Sequence, residues 1–324
     1  MKGDQVKNET TTGSERRNVT FRSGDSYCAG WLYLPDGASA DNPVPIVVMG
    51  HGFGATRELG LAPYAERFVA AGLGALVFTY RGLGDSGGEP RQVLSMPRQV
   101  ADWDAALAYA SSLPEADTGR LAIWGSSVGG GHAIEVASRH PELRAAVSQC
   151  PFTDGIASAR ALGVGAALSM TGPVLRDLMA AALGKKPVTV PVAASPGRRA
   201  FMTAPDALPG MLELVPPGHQ WVNEAAARSL LSVLRYRPGR SARRIAMPIL
   251  ICISTTDSVA PADVADRYAR QAPLGDVRHY EAGHFGFYVG DAYKELVRDQ
   301  VEFLVQHLRP TAPAPKGALA GSDS

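Results

Sequence analysis

The run Gly125-Ser126-Ser127-Val128-Gly129 is a G-x-S-x-G pattern, and its register is unambiguous. Only Ser127 has glycine two positions away on both sides, because Ser126 has Trp124 before it and Val128 after it. A serine hydroxyl attacks a carbonyl only when one group takes its proton and others hold the charge that grows on the carbonyl oxygen. Glycines at the flanks permit a sharp turn that would push the hydroxyl out at the start of a helix. Amide dipoles at a helix start favour a developing negative charge. Ser127 is therefore the expected nucleophile.

Three further pieces could complete such a centre. His51-Gly52-Phe53-Gly54 follows a short apolar run and could present the backbone N–H of Phe53 to an oxyanion, alongside the N–H of Val128. His51 itself reads as a structural histidine. His284, in Glu281-Ala282-Gly283-His284-Phe285, is the one histidine of seven on a loop between the last strand-like and last helix-like segments, which suits a general base. The orienting acid is open between two carboxylates that both follow a strand-like run, Asp257 and Asp154. Asp85 reads as a residue that organises its own loop.

These residues need a frame. Val19–Arg22, Ala29–Leu34, Pro45–Gly50, Ala75–Tyr80, Leu121–Trp124, Ala145–Cys150, Pro248–Ile253 and Val277–Tyr280 read as strands. Helical spacing over Leu61–Ala71, Met96–Ser111, Val128–Arg139, Ala262–Gln271 and Ala292–His307 alternates with them. That alternation predicts βαβ units and a mostly parallel sheet flanked by helices. It pauses from Asp154 to about Arg240, where helical patches over Ile156–Met170, Val174–Leu183 and Val222–Leu234 surround a proline-rich stretch, Pro187–Pro217, expected to be irregular. The expected organisation is a core of residues 17–153 and 241–309, an inserted helical module over 154–240, and disordered tails at 1–16 and 310–324.

Bulk composition narrows the classes. The chain has 324 residues, 32 basic and 31 acidic, for a net charge of +1, which makes no case for nucleic acid or an anionic membrane as partner. Three cysteines without a CxxC spacing suggest neither a disulfide framework nor a zinc site, and free buried thiols fit a cytoplasmic protein. The oligomeric state has no sequence signal.

With HGFG at 51–54, YRGLGDSGG at 80–88, GSSVG at 125–129, TTDSVAP at 255–261 and AGH at 282–284, the sequence resembles the α/β-hydrolase superfamily over roughly residues 19–307. Its opening FRSGDSYCAGWLYLP and the YRGLGDSGGEP loop look like the branch of Xaa-Pro dipeptidyl-peptidase-like and dienelactone-hydrolase-like proteins. The resemblance implies an α/β-hydrolase fold of eight strands with a lid inserted after the sixth. It favours Asp257 over Asp154 as the acid, in the chain order Ser127…Asp257…His284. It implies a serine esterase, whose mechanism needs no cofactor or metal, and the inserted stretch, rich in Ala, Leu, Met and Val, suggests a small, largely hydrophobic acyl substrate. Acyl transfer, thioester cleavage and C–C hydrolysis with the same residues stay open, as do peptidase activity and a non-catalytic binding role.

Overall fold

The computed structural model describes the backbone of residues 9–11, 14–162 and 164–309. The chain opens with three strands, β1 (Glu9–Thr11), β2 (Ser14–Ser23) and β3 (Ser26–Pro35), paired antiparallel in sequence order. It then alternates: β4 (Val44–Gly50), α1 (Ala62–Ala70), β5 (Gly74–Phe78), α2 (Met96–Ser112), β6 (Ala116–Ser126), α3 (Val128–Ala137) and β7 (Ala145–Gln149). The segment from 155 to 244 holds α4 (Gly155–Leu162), α5 (Val164–Ala182), β8 (Thr189–Val190), α6 (Ala207–Glu213), β9 (Ala225–Ala226), α7 (Ser229–Arg235) and a 3-10 stretch at Pro238–Arg244. Alternation resumes with β10 (Ile249–Ser254), α8 (Ala262–Ala269), β11 (Gly275–Tyr280), a 3-10 turn at Phe285–Phe287 and α9 (Gly290–Leu308).

The main sheet runs β1-β2-β3-β5-β4-β6-β7-β10-β11 and is parallel from β5 onward. Its central strands are unbroken apolar runs because both faces are covered. In β4, Ile46 and Val48 point to a core closed by α2, α3 and α8, and Val47 and Met49 to one closed by α1 and α9. Parallel strands end together, so the loops after β4, β6, β10 and β11 gather at one edge.

Four expectations need correction. The first sixteen residues are not all tail, since β1 and the start of β2 pair there and bring the sheet to nine strands. The 310–324 tail lies outside the described residues. The helix expected over Val222–Leu234 starts only at Ser229: Asn223 is spent on the backbone of Ala193, and Ala225–Ala226 pairs with β8. The proline-rich stretch contains β8 and α6. The break expected between Met170 and Val174 does not occur, because α5 runs through Pro173.

The inserted segment leaves the sheet at β7 and returns at β10, the neighbour of β7, so it adds no strand to the main sheet. Inside it, buried Asp177 accepts from the amides of Val188 (2.9 Å) and Arg228 (2.8 Å) and pairs with the Arg228 guanidinium at 2.8 Å. Hydrogen bonds tie it to the core, four of them at Gly54 and at residues 92–96. Leu94 and Met96 donate their amides to the hydroxyls of Ser229 and Ser232, each at 2.9 Å. The Ala226 amide donates to the Gln92 carbonyl (2.8 Å), and Trp221 Nε1 to the Gly54 carbonyl (2.8 Å). Among the described residues no helix is long and apolar enough to cross a membrane.

Candidate active site

Ser127 sits at the junction of β6 and α3 with φ 59° and ψ −119°, a conformation that costs a non-glycine residue on the order of 1–3 kcal/mol. Three hydrogen bonds hold it there. Its amide donates to the Gln149 carbonyl (2.9 Å), and its carbonyl accepts from the amides of Gly131 (3.0 Å) and Phe152 (2.9 Å). The flanking glycines act through space. A Cβ on Gly125 would stand 2.0 Å from the Gly129 carbonyl oxygen, and one on Gly129 would stand 2.4 Å from that of Gly50. Only bare backbone lets α3 start so close to the strand ends.

The loop after β11 carries His284 to this turn. Its Nε2 lies 3.1 Å from Ser127 Oγ, and its Nδ1 lies 2.7 Å from Asp257 Oδ2. The second oxygen of Asp257 accepts from the amides of Val259 (2.8 Å) and Ala260 (2.7 Å), which fixes the carboxylate in its loop after β10. His284 and the Asp257 side chain are both buried. Burial works against the positive form of His284, but the Asp257 charge, the bond to it and the neighbouring Cys150 hold its pKa well above the usual imidazole value.

The rival acid is engaged elsewhere. Asp154 caps α4 through the amides of Ile156 (3.0 Å) and Ala157 (3.1 Å), pairs with Arg237 (2.7 Å) and accepts from Tyr268 (3.0 Å). Asp85 forms a two-pronged pair with buried Arg57, as its loop-organising reading expects. His51 is wholly buried, donates to the Gly52 carbonyl at 2.9 Å, and burial pushes its pKa down to about 4. His132 is pinned between Gln99 (2.9 Å) and Tyr236 (2.7 Å), and burial pushes its pKa down to about 3. Both imidazoles are neutral packing groups.

The loop at 51–54 abuts the elbow: a Cβ on Gly52 would lie 3.1 Å from Ser127 Cβ. Among the described residues neither the Phe53 nor the Val128 amide donates to a protein acceptor. Both residues line a cavity with Ser127.

Two cavities meet at Ser127. The larger, about 610 Å³ with its open mouth, is lined by Phe152, Ser158, Leu230, Val233 and Leu234. The smaller, about 360 Å³, is lined by Leu59, Met211, Leu214, Phe285 and His284. Phe53 and Met202 border both. Among the described residues no carboxylate lines either one.

Sequence reasoning missed a buried polar net beneath the elbow. Ser126 Oγ lies 2.5 Å from Tyr288 Oη, accepts from Gln149 Nε2 (3.1 Å) and is 3.5 Å from Cys150 Sγ. Gln300 joins Gln149 (2.9 Å) to Trp124 (2.8 Å). The net ties the serine turn to the histidine loop and to α9. Its members are scattered along the chain, so no local pattern marks them. Cys150, Asp257 and His284 are the one set of metal-ligating types among the described residues whose ligand atoms lie within 4.8 Å of one another. Both His284 nitrogens hydrogen-bond within the protein, to Asp257 and Ser127.

The chain is similar to known proteins. The model of a family described as serine aminopeptidase, S33, matches residues 41–284. The quorum-quenching protein AidA of Acinetobacter baumannii (strain MDR-ZJ06) is 47% identical over 287 residues, 89% of this chain and 93% of the relative. A thiohydrolase of Eupenicillium brefeldianum is 26% identical over 304 residues, 89% of this chain and 94% of the relative. Among solved structures, DcsB in complex with its substrate analogue superposes with a TM-score of 0.77 at 20% identity, covering 90% of this chain and 99% of that one, a likeness of fold.

Proposed function

The chain belongs to the serine aminopeptidase S33 family of α/β hydrolases, and from that premise we propose that it cleaves a carboxylic ester of a small, largely hydrophobic substrate through an acyl-enzyme on Ser127. The observation that carries this reading is the unbroken chain from Ser127 Oγ through His284 to Asp257, at 3.1 and 2.7 Å, built on the positive-φ turn. His284 Nε2 takes the hydroxyl proton as Oγ bonds to the carbonyl carbon. The Phe53 and Val128 amides hold the oxyanion. The carbon–oxygen bond then breaks, and the leaving alcohol takes the proton from His284. Water repeats the sequence and frees the acid, and Asp257 steadies the imidazolium in both halves.

The leaving group must depart beside the atom that protonates it. His284 lines only the smaller cavity, which supports placing the leaving group there and the acyl group in the larger one. The family's peptidase name does not suit these walls, because a substrate α-ammonium would be desolvated with no carboxylate beside it. The apolar walls suit an uncharged ester better. Residues 154–240 act as a lid in this reading, since Phe201, Met202 and Leu230 of that stretch wall the larger cavity. A cytoplasmic location accords with three free, buried cysteines. Transfer of the acyl group to an acceptor other than water uses the same steps, and the thiohydrolase relative brings thioesters into range.

A fluorophosphonate probe should label the wild type at Ser127 and leave folded Ser127→Ala unmodified. Wild type should turn over short and medium p-nitrophenyl esters, and Ser127→Ala should lose at least about 10⁴-fold in turnover. Equal rates in the two proteins would sink the reading. Lactones, thioesters, aminoacyl amides and added alcohols complete the panel. The 47% identity to AidA supports a second reading, that the substrate is a quorum signal. Wild type but not Ser127→Ala should then silence a quorum-signal reporter strain.

A further inference from the structure

The near-neutral total charge hides a split. Between Gly155 and Ala200 stand six basic residues, Arg160, Arg176, Lys185, Lys186, Arg198 and Arg199, and one acid, Asp177. That acid is buried and consumed by Arg228. The six cations are exposed, and none forms an ion pair with a described residue.

The same stretch carries an uncovered apolar ridge. One face of α5 packs inward, with Met170 and Val174 against Val190 and Ala227. On the other face Leu168, Leu175, Met179 and Leu183 are each more than half exposed. At 3.6 residues per turn they fall in a wedge of roughly 80° and run about 22 Å along the axis. Leu183 continues the helix geometry, with its amide on the Met179 carbonyl at 3.1 Å. Five of the six cations lie beside this ridge. Arg176 lies on α5 itself, Lys185 and Lys186 follow its end, and Arg198 and Arg199 line one open cleft with Gly165 and Ser169 of α5.

We propose that this face of the inserted segment docks reversibly on an anionic lipid surface, with the α5 ridge seated among the acyl chains and the five cations beside it against the headgroups. A second copy of the chain is a poor occupant, because the pairing would set five like charges against five. An acidic protein would match the charge, but a convex ridge of long side chains needs a complementary groove. A bilayer interface needs none.

The test is cosedimentation of the full chain with vesicles of phosphatidylcholine alone and of phosphatidylcholine mixed with phosphatidylglycerol. The protein should pellet with the mixed vesicles, and added salt should release it. Leu175→Asp/Met179→Asp should abolish pelleting. Lys185→Glu/Lys186→Glu, which leaves the ridge intact, should weaken it at least about tenfold. Circular dichroism should match wild type in both. The charge variant alone decides the matter if the apolar one misfolds. Absence of binding to mixed vesicles would overturn the proposal, and so would equal binding to both vesicle types. A dimer in light scattering that Leu175→Asp/Met179→Asp splits would overturn it in favour of a second copy.

Discussion

The turn at Ser127 and the segment from Gly155 to Arg244 are held by different kinds of force. At the turn, backbone meets backbone: glycines 125, 129 and 130 have neighbouring main-chain atoms within 3.0 Å of where a Cβ would sit, and three amide bonds fix the strained serine. The inserted segment has one comparable backbone contact, where a Cβ on Gly155 would stand 2.0 Å from the Val233 carbonyl oxygen, and adds side-chain clasps that the turn lacks: the Asp177–Arg228 pair, two serine hydroxyls and one tryptophan N–H. Backbone contacts leave almost no room for substitution, whereas side-chain clasps can be traded one at a time. The difference teaches that chemistry and selectivity are encoded separately here. In the proposed reaction the turn presents the nucleophile, and the segment shapes what reaches it.

The comparison is most exposed at Asp257, on the rigid side. Asp257→Asn keeps the shape but loses the charge that steadies the imidazolium, and turnover should fall about 10³–10⁴-fold. The pH profile tests the cause. With His284 raised above the usual imidazole value, wild-type kcat/KM should climb as pH rises through that raised pKa and the imidazole becomes neutral. Without the carboxylate charge the pKa falls, so the climb in Asp257→Asn should begin at lower pH. An unshifted profile would mean that Asp257 does not set the proton affinity of His284.

On the other side, Asp177→Ala leaves Arg228 with its charge half-buried and two amides without their acceptor. The expected loss is about 3 kcal/mol. The loss should be local, with hydrogen exchange accelerating in α5 and α7 while β6 and α3 keep their protection. Uniform acceleration through the whole chain would erase the distinction between the two regions.

A smaller effect separates the two cavities. Leu234→Trp narrows the larger one and should lower kcat/KM for long acyl chains about tenfold, with little response to the alcohol. Leu214→Trp narrows the smaller one and should do the reverse. A tenfold change is about 1.4 kcal/mol, within what a few displaced methylenes supply. Exchanged responses would reverse the assignment of acyl and leaving-group sides.

The division between the regions also accounts for what the sequence made legible. Buried parallel strands and the glycine-flanked serine are local patterns dictated by close packing, so β4 to β7 and Ser127 could be read directly. The residues that surround the catalytic atoms from afar could not. Tyr288 reaches Ser126 across 162 positions and Trp221 reaches Gly54 across 167, and neither contact leaves a periodic trace. The helix expected from Val222 failed for a related reason, since Asn223 and Ala225–Ala226 satisfy their polar groups against distant backbone. Asp154 and Asp257 look alike in sequence because each follows a strand and caps the next few amides; only the fold gives one of them an arginine and the other a histidine.

Trp221→Phe is the mildest challenge to the comparison and the most specific. The indole donates one hydrogen bond to the Gly54 carbonyl, at the end of the loop that also carries the Phe53 amide. Phenylalanine keeps most of the ring but removes the N–H, so the direct loss of stability should be about 1 kcal/mol. If that clasp only fastens the segment to the core, KM should rise modestly while kcat stays near wild type. If it also holds the Phe53 amide in line with the oxyanion, kcat should fall and the phosphonylation rate of Ser127 should fall with it. The second outcome would show that the side-chain-held region reaches into the backbone-held one through a single carbonyl, and it would narrow the separation of chemistry from selectivity at that point.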